Sequence, residues 1–224
     1  MSTEELPVYY LKPGELHIAD QPGVVTTVLG SCVSVTMFNR RRAVGAICHG
    51  LMPERTEKGR SGRDNGNGFK YVDYSIRYMI DYFRSYGIGP SEIEVKLFGG
   101  ADMFPAGGRD QTHLSVGKKN VIAALSTLKQ EGMAVHIRDV GGTQGRKLHF
   151  YLHTGDVFLK KLKRSETSRV MSFQSEAGRT EGAQVSVVRR RNPDPAGSGD
   201  DRSVPREEAA MTRVLGKRAG KGFA

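Results

Sequence analysis

The sequence is poor in cysteine, lacks a long apolar run and does not open on a hydrophobic leader. Its two thiols, Cys32 and Cys48, cannot build a disulfide framework, and a reducing compartment keeps them free. No stretch approaches the roughly 20 consecutive apolar residues of a membrane span. The opening Met1-Ser2-Thr3-Glu4-Glu5 is acidic where a secretory leader is basic and then apolar, so a cytoplasmic location is expected. Ligand spacing for a metal is also missing. His149 and His153 share one face of a strand but lie roughly 13 Å apart at extended rise, and no carboxylate or cysteine joins them. His17, His113 and His136 read as surface or turn residues. Gly141-Gly142-Thr143-Gln144-Gly145-Arg146-Lys147 has the glycines of a phosphate loop without its spacing, and a strand follows it, so a tight inter-strand loop is expected. Neither a cofactor nor a metal is expected. There is no helix-turn-helix pattern and no interleaving of aromatic and basic residues to suggest nucleic-acid recognition.

What remains is a polar, basic chain of 224 residues, with 38% hydrophobic residues, 26% charged residues and a net charge of +10. That is long enough to bury a core, and its charge favours acidic partners, although part of it sits in a segment unsuited to folding. Beyond about Arg164 the residues are mostly Ser, Arg, Gly, Pro and Glu. Such a segment buries too little apolar surface to offset its ordering entropy. The reading is a folded unit over 1–163, its ordered part beginning near residue 8, and a basic, disordered tail over 164–224. Within the tail, Val185 to Val188 is expected to order no more than transiently.

Periodicity then supplies the elements. Residues 8–19 and Val24 to Leu29 read as strands, and Val33, Val35 and Met37 alternate on one side of the next strand. Ala43 to His49 returns antiparallel after the polar turn at Asn39-Arg40-Arg41-Arg42. Glu54 to Gly68 is a Gly/Arg/Asn-rich loop. Val72, Ile76, Met79, Ile80 and Phe83 recur at helical spacing, with Gly87 as a stop. Ile93, Val95 and Leu97 alternate, a second helix covers roughly Gly117 to Glu131, and Met133, Val135 and Ile137 alternate again. A hairpin runs from Lys147 through Thr154-Gly155 to Leu162. Strands with two main helices put the fold class at α/β of the α+β type.

The chemistry sits in the hairpin around Cys32. If Arg40-Arg41 form a two-residue loop, paired residue numbers sum to 81, and Cys32 faces His49 directly across the ladder. Directly opposed side chains have Cβ atoms roughly 4.5–5.5 Å apart, within reach of thiol–imidazole proton exchange. A one-residue slip turns the other face of the strand inward. Gly30-Ser31 permits a tight turn whose amides suit an oxyanion, and Thr26 ends near the same place, positioned to orient imidazole or substrate amide. Cys48 is a rival nucleophile beside His49, but adjacent strand residues point to opposite faces, so it reads as packing. A cysteine in an apolar strand is ordinarily an inert small hydrophobe, and this pattern alone does not decide for catalysis.

The residues then resemble a known family. Leu29-Gly30-Ser31-Cys32-Val33-Ser34-Val35, Gly45-Ala46, His49, Lys70-Tyr71-Val72-Asp73, Lys96-Leu97-Phe98-Gly99-Gly100-Ala101, Asp139-Val140-Gly141-Gly142, Gly145-Arg146-Lys147 and Thr154-Gly155 occur in order over about residues 8–163. Together they resemble the chemoreceptor glutamine deamidase family, CheD. The resemblance implies a Cys-His-Thr site at Cys32, His49 and Thr26, with Thr27 a second threonine beside it. It also implies a layered fold shared with deamidating bacterial toxins, a sandwich of largely antiparallel or mixed sheet with two main helices. The implied activity is conversion of glutamine to glutamate on the cytoplasmic bundles of methyl-accepting chemotaxis receptors, with the CheC phosphatase as a further partner of some members. A non-catalytic adaptor binding receptors or CheC and a nucleic-acid binder driven by charge are the competing readings, in that order after the enzyme; within the enzyme class, an esterase on receptor glutamyl esters uses the same acyl chemistry.

Overall fold

A computed structural model describes residues 5–54, 68–103, 114–163, 165–167, 185–188 and 212–213. Most of the Glu54–Gly68 loop, His113 and most of the tail lie outside the described residues. The chain forms two mixed β-sheets and two main helices, the α+β class expected from its periodicity. One sheet has the order β1 (Val8–Tyr10), β3 (Val24–Leu29), β8 (Gly145–Tyr151), β9 (Val157–Leu162) and β11 (Thr212–Arg213). The other has the order β10 (Val185–Val188), β2 (Leu16–Ala19), β5 (Val44–Cys48), β4 (Val33–Asn39), β6 (Glu94–Gly99) and β7 (Val135–Val140). The pairs β1–β3, β10–β2 and β6–β7 are parallel, and the remaining ladders are antiparallel. Two short stretches of the basic C-terminal segment thus join the sheets as outer strands, the first of them at Val185–Val188.

Strand alternation sorts side chains into two cores. Val33, Val35 and Met37 of β4, Val44, Ala46 and Cys48 of β5, and Val95 and Leu97 of β6 face the helices α1 (Val72–Ser85) and α2 (Val116–Gln130). The α1 stripe of Val72, Ile76, Met79, Ile80 and Phe83 is fully buried against them, each side chain contributing about 1.5–3 kcal/mol by burial. The opposite face of the same sheet packs on the first sheet through Cys32, Ile47, Phe98, Val25, Leu29, Leu148 and Phe150.

Helix ends are closed by backbone rather than by chance. The first amides of α1, at Val72 and Asp73, donate to the carbonyls of Met52 and Pro53, which fixes the chain just after His49. Its C-terminus closes when Gly87, at φ +68°, donates to Arg84 O and Ile88 donates to Phe83 O. At α2, Ser115 caps the amide of Lys118. Among the described residues no helix is long and apolar enough to cross a membrane.

The β4–β5 register differs from the two-residue turn. Phe38 pairs with Gly45 and Asn39 with Val44, so the numbers sum to 83 and the connection is the four residues 40–43. The cause is local: Asn39 Oδ1 accepts the Arg42 amide in an Asx turn, and Ala43 takes φ +50° to re-enter the strand. A shift of two preserves strand parity, so Cys32 and His49 stay on one face but become diagonal neighbours. His17 also departs from its sequence reading. It is 2% exposed, stacked on Tyr9 at 4.6 Å, because β2 lies inside the second sheet.

Candidate active site

Cys32 occupies the short link between β3 and β4, and three consecutive carbonyls hold that link in place. Gly30 O accepts the Ala101 amide at 2.8 Å, Ser31 O accepts Asn120 Nδ2 at 3.0 Å, and Cys32 O accepts the Gly100 amide at 2.7 Å. Gly99 is required there: at φ +101°, a Cβ would collide with the Cys32 carbonyl. Gly117 is required for a different reason, since a Cβ would lie 2.6 Å from Gly100 O and hold α2 away from the link. Behind it, Arg146 donates to Asp139 Oδ1, Gln144 O and Gly141 O. The Gly141–Gly145 segment is therefore the tight inter-strand loop expected, locked by one buried guanidinium.

His49 continues β5 by donating its amide to Glu15 O and accepting the Gly14 amide. Its side chain is completely buried in the layer between the sheets. There Nδ1 lies 2.8 Å from Thr27 Oγ1, and the same hydroxyl donates to Leu11 O at 2.9 Å. A hydroxyl has one proton. With that proton given to a carbonyl, Thr27 can only accept from the ring, so Nδ1 carries hydrogen and Nε2 carries the lone pair. Nε2 is buried and has no hydrogen-bond partner among the described residues. That is the form a general base needs.

The hydroxyl beside the His49 ring belongs to Thr27, whereas Thr26 touches a different histidine. Strand period places Thr26 on the other face of β3, where its Oγ1 is 3.3 Å from Nδ1 of His149, its ladder partner. Gly30 and Ser31 lie beside Cys32 as expected, tied by their carbonyls. Cys48 is fully buried on the helix side, and burial pushes its thiol up to about 12.

Electrostatics keep the resting pair neutral. Burial pushes the Cys32 thiol up to about 11, opposed by a weaker hydrogen bond to its own backbone. Burial lowers His49 to about 4, with the Leu11 carbonyl pulling the other way. Thiol and imidazole share no hydrogen bond among the described residues, in keeping with diagonal strand positions whose Cα atoms are roughly 7–8 Å apart.

Burial of neutral histidine also sets acid stability. His17 and His49 both fall to about 4 from an ordinary 6.5, in each case chiefly through desolvation. Between those values the unfolded chain binds a proton at each site and the folded chain does not, so stability falls as pH drops from 6.5 toward 4. At about 1.4 kcal/mol per pKa unit each site removes roughly 3 kcal/mol over that window. Thermal melting at pH 7 and pH 4.5 checks this: the acid-induced drop in Tm should shrink in His49→Gln and again in the double variant with His17→Gln.

With the geometry in place, comparison with known proteins is direct. The family model described as CheD chemotactic sensory transduction matches residues 51–161, beginning just past His49. The chain is 52% identical over 162 residues to the probable chemoreceptor glutamine deamidase CheD 2 of Geobacter sulfurreducens, covering 72% of this chain and 94% of the relative. The chain belongs to the CheD family. The probable chemoreceptor glutamine deamidase CheD of Maridesulfovibrio salexigens is 38% identical over 156 residues, covering 69% of this chain and 92% of its own length. The namesake in the archaeon Thermococcus kodakarensis is 39% identical over 150 residues, covering 66% and 89%. Among solved structures, Bacillus licheniformis hypothetical protein YfiH aligns with a TM-score of 0.32 at 14% identity, over 61% of this chain and 60% of that one. That likeness is too low to bear on function.

The sequence reading names Thr27 only as the threonine beside Thr26 and misses Asn120 altogether. Thr27 is hidden because Val24 to Leu29 is buried on both faces, which erases the alternation that tells inward from outward. Asn120 is hidden because it lies 88 positions from Cys32 in a helix, with no motif around it.

Proposed function

We propose that this CheD family member converts glutamine side chains of chemoreceptor cytoplasmic domains to glutamate, through a thioester on Cys32. The observation that carries the reading is the buried His49 ring on the face it shares with Cys32, its Nδ1 beside Thr27 and its Nε2 without a hydrogen-bond partner among the described residues. The relatives' shared name supplies the substrate class.

The steps follow from these groups. The Cys32 sulfur attacks the carboxamide carbon as its proton passes to Nε2. The tetrahedral intermediate places negative charge on oxygen, beside the Gly30-Ser31-Cys32 link whose carbonyls are already engaged elsewhere; its amides are the donors suited to that oxyanion. Collapse breaks the C–N bond, and the imidazolium returns its proton to the departing ammonia. Water then attacks the thioester carbon, its proton goes to Nε2, and the sulfur leaves as thiol with glutamate as product. Nothing in the cycle needs a preformed thiolate, in accord with a thiol at about 11 beside an imidazole at about 4. Catalytic contacts often tighten only once substrate is bound. The net charge of +10 favours encounter with acidic receptor surfaces.

The test is incubation with a soluble receptor cytoplasmic fragment, followed by mass spectrometry for the gain of an amide becoming an acid. No gain at any glutamine would reject the deamidase reading. Thr27→Val should lower kcat by about 100-fold while KM holds, because the ring loses its orienting contact. Thr26→Val, on the far face, should remain near wild type, and equal effects from the two would remove Thr27 from the site. The adaptor reading, with receptors or CheC as binding partners, draws on the raised Cys32 pKa, which makes the resting thiol sluggish. It requires binding to the receptor without any mass gain.

A further inference from the structure

The Asn120 side chain is fully buried, yet its Nδ2 donates to two carbonyls far apart in sequence: Ser31 O at 3.0 Å and Leu51 O at 2.9 Å. Ser31 immediately precedes Cys32, and Leu51 follows His49 by two residues. An amide nitrogen has two hydrogens, and both are used. The orientation of the group is forced as well, because an oxygen turned toward two carbonyl oxygens would find no donor. Asn120 Oδ1 is left buried and unpartnered among the described residues. A buried amide that leaves its acceptor unsatisfied in order to hold two backbone carbonyls is unfavourable for packing alone.

From this we infer that Asn120 is a positioning residue that sets the separation of Cys32 and His49. The inference rests on the deamidase reading for its catalytic meaning. The link bearing Cys32 and the segment after His49 lie past the last paired residues of the main β4–β5 ladder; beyond it, the bridge Val33–Gly50 ties them to each other among the described residues. Asn120 supplies the second tie, from α2, outside the sheet. Its helix is seated by the close approach of Gly117 to the carbonyls of Gly100 and Ala101. The spacing of thiol and imidazole is therefore set from three elements rather than from the hairpin alone.

The experiment compares wild type, Asn120→Ala and Asn120→Asp by two readouts: kcat and KM on a receptor fragment, and the rate of Cys32 alkylation by iodoacetamide without receptor. Asn120→Ala should lower kcat about 100-fold with KM within twofold, as a misplaced reacting group does. It should also speed alkylation several-fold, since a loosened link exposes the thiol. Alkylation confined to Cys32, with Cys48 still protected, separates a loosened link from loss of folding, which would expose both buried thiols. Asn120→Asp places a carboxylate against two carbonyls, so its kcat should be lowest at alkaline pH and recover as acid protonates the side chain, a limb absent from wild type. Unchanged kcat and alkylation in Asn120→Ala, or no acid recovery in Asn120→Asp, would overturn the assignment. If wild type itself fails to deamidate, the deamidase reading falls separately, and equal alkylation rates in wild type and Asn120→Ala would then overturn the tie.

Discussion

Cys32→Ala should retain receptor binding and lose deamidation by about 10⁴- to 10⁶-fold, the scale on which removal of a covalent nucleophile acts. The expectation is specific because the second thiol is disqualified by position. Cys48 faces the helices, fully buried, in the other core from His49. Cys48→Ala should therefore keep its rate, and the pair of variants separates a nucleophile from a general thiol requirement. Intact-mass analysis of a receptor fragment reads both. Residual deamidation by Cys32→Ala at the wild-type rate would end the thioester mechanism.

His49→Gln should cost a comparable factor, about 10⁴-fold or more, and the double variant with Cys32→Ala should be no worse than either alone, because the two act as one unit. Glutamine keeps a polar side chain near Thr27 but has no nitrogen able to accept the proton. The stability consequence runs in the opposite direction. The imidazole buries a nitrogen with no hydrogen-bond partner among the described residues, so its replacement should leave Tm near wild type at neutral pH and raise it in acid, where the folded protein otherwise resists protonation. In the free enzyme the rate should be flat through neutrality, with the acid limb near the His49 value of about 4 and the alkaline limb near the Cys32 value of about 11. A bell centred on pH 7 would mean a resting ion pair and a different geometry.

Much of this was readable from the chain because parity is robust where register is not. The stripe in α1 and the alternation in β4 and β5 identify core faces by period, and a two-residue error in turn length leaves every side chain on its proper side. Hence the two-residue difference in register leaves Cys32 and His49 on one face, as diagonal neighbours. Period fails where both faces are buried. In β3 all six residues are inside, so nothing in Val24-Val25-Thr26-Thr27-Val28-Leu29 says which threonine looks inward. His17 failed for a related reason: an isolated polar residue in a short strand reads as surface until a neighbouring strand covers it. Asn120 could not be read at all, because a single side chain bonded to two distant carbonyls leaves no periodic trace.

The imidazole of His49 has its backbone in one sheet and its hydrogen-bond anchor, Thr27, in the other. The protonation pattern of the ring is thereby a gauge of interlayer spacing. Sliding one sheet over its neighbour by about 1 Å would unhook Nδ1, let the proton migrate between the ring nitrogens, and silence the base without disturbing any residue that touches substrate. Pressure, cold or a ligand wedged at a sheet edge would each reach the chemistry by that mechanical route.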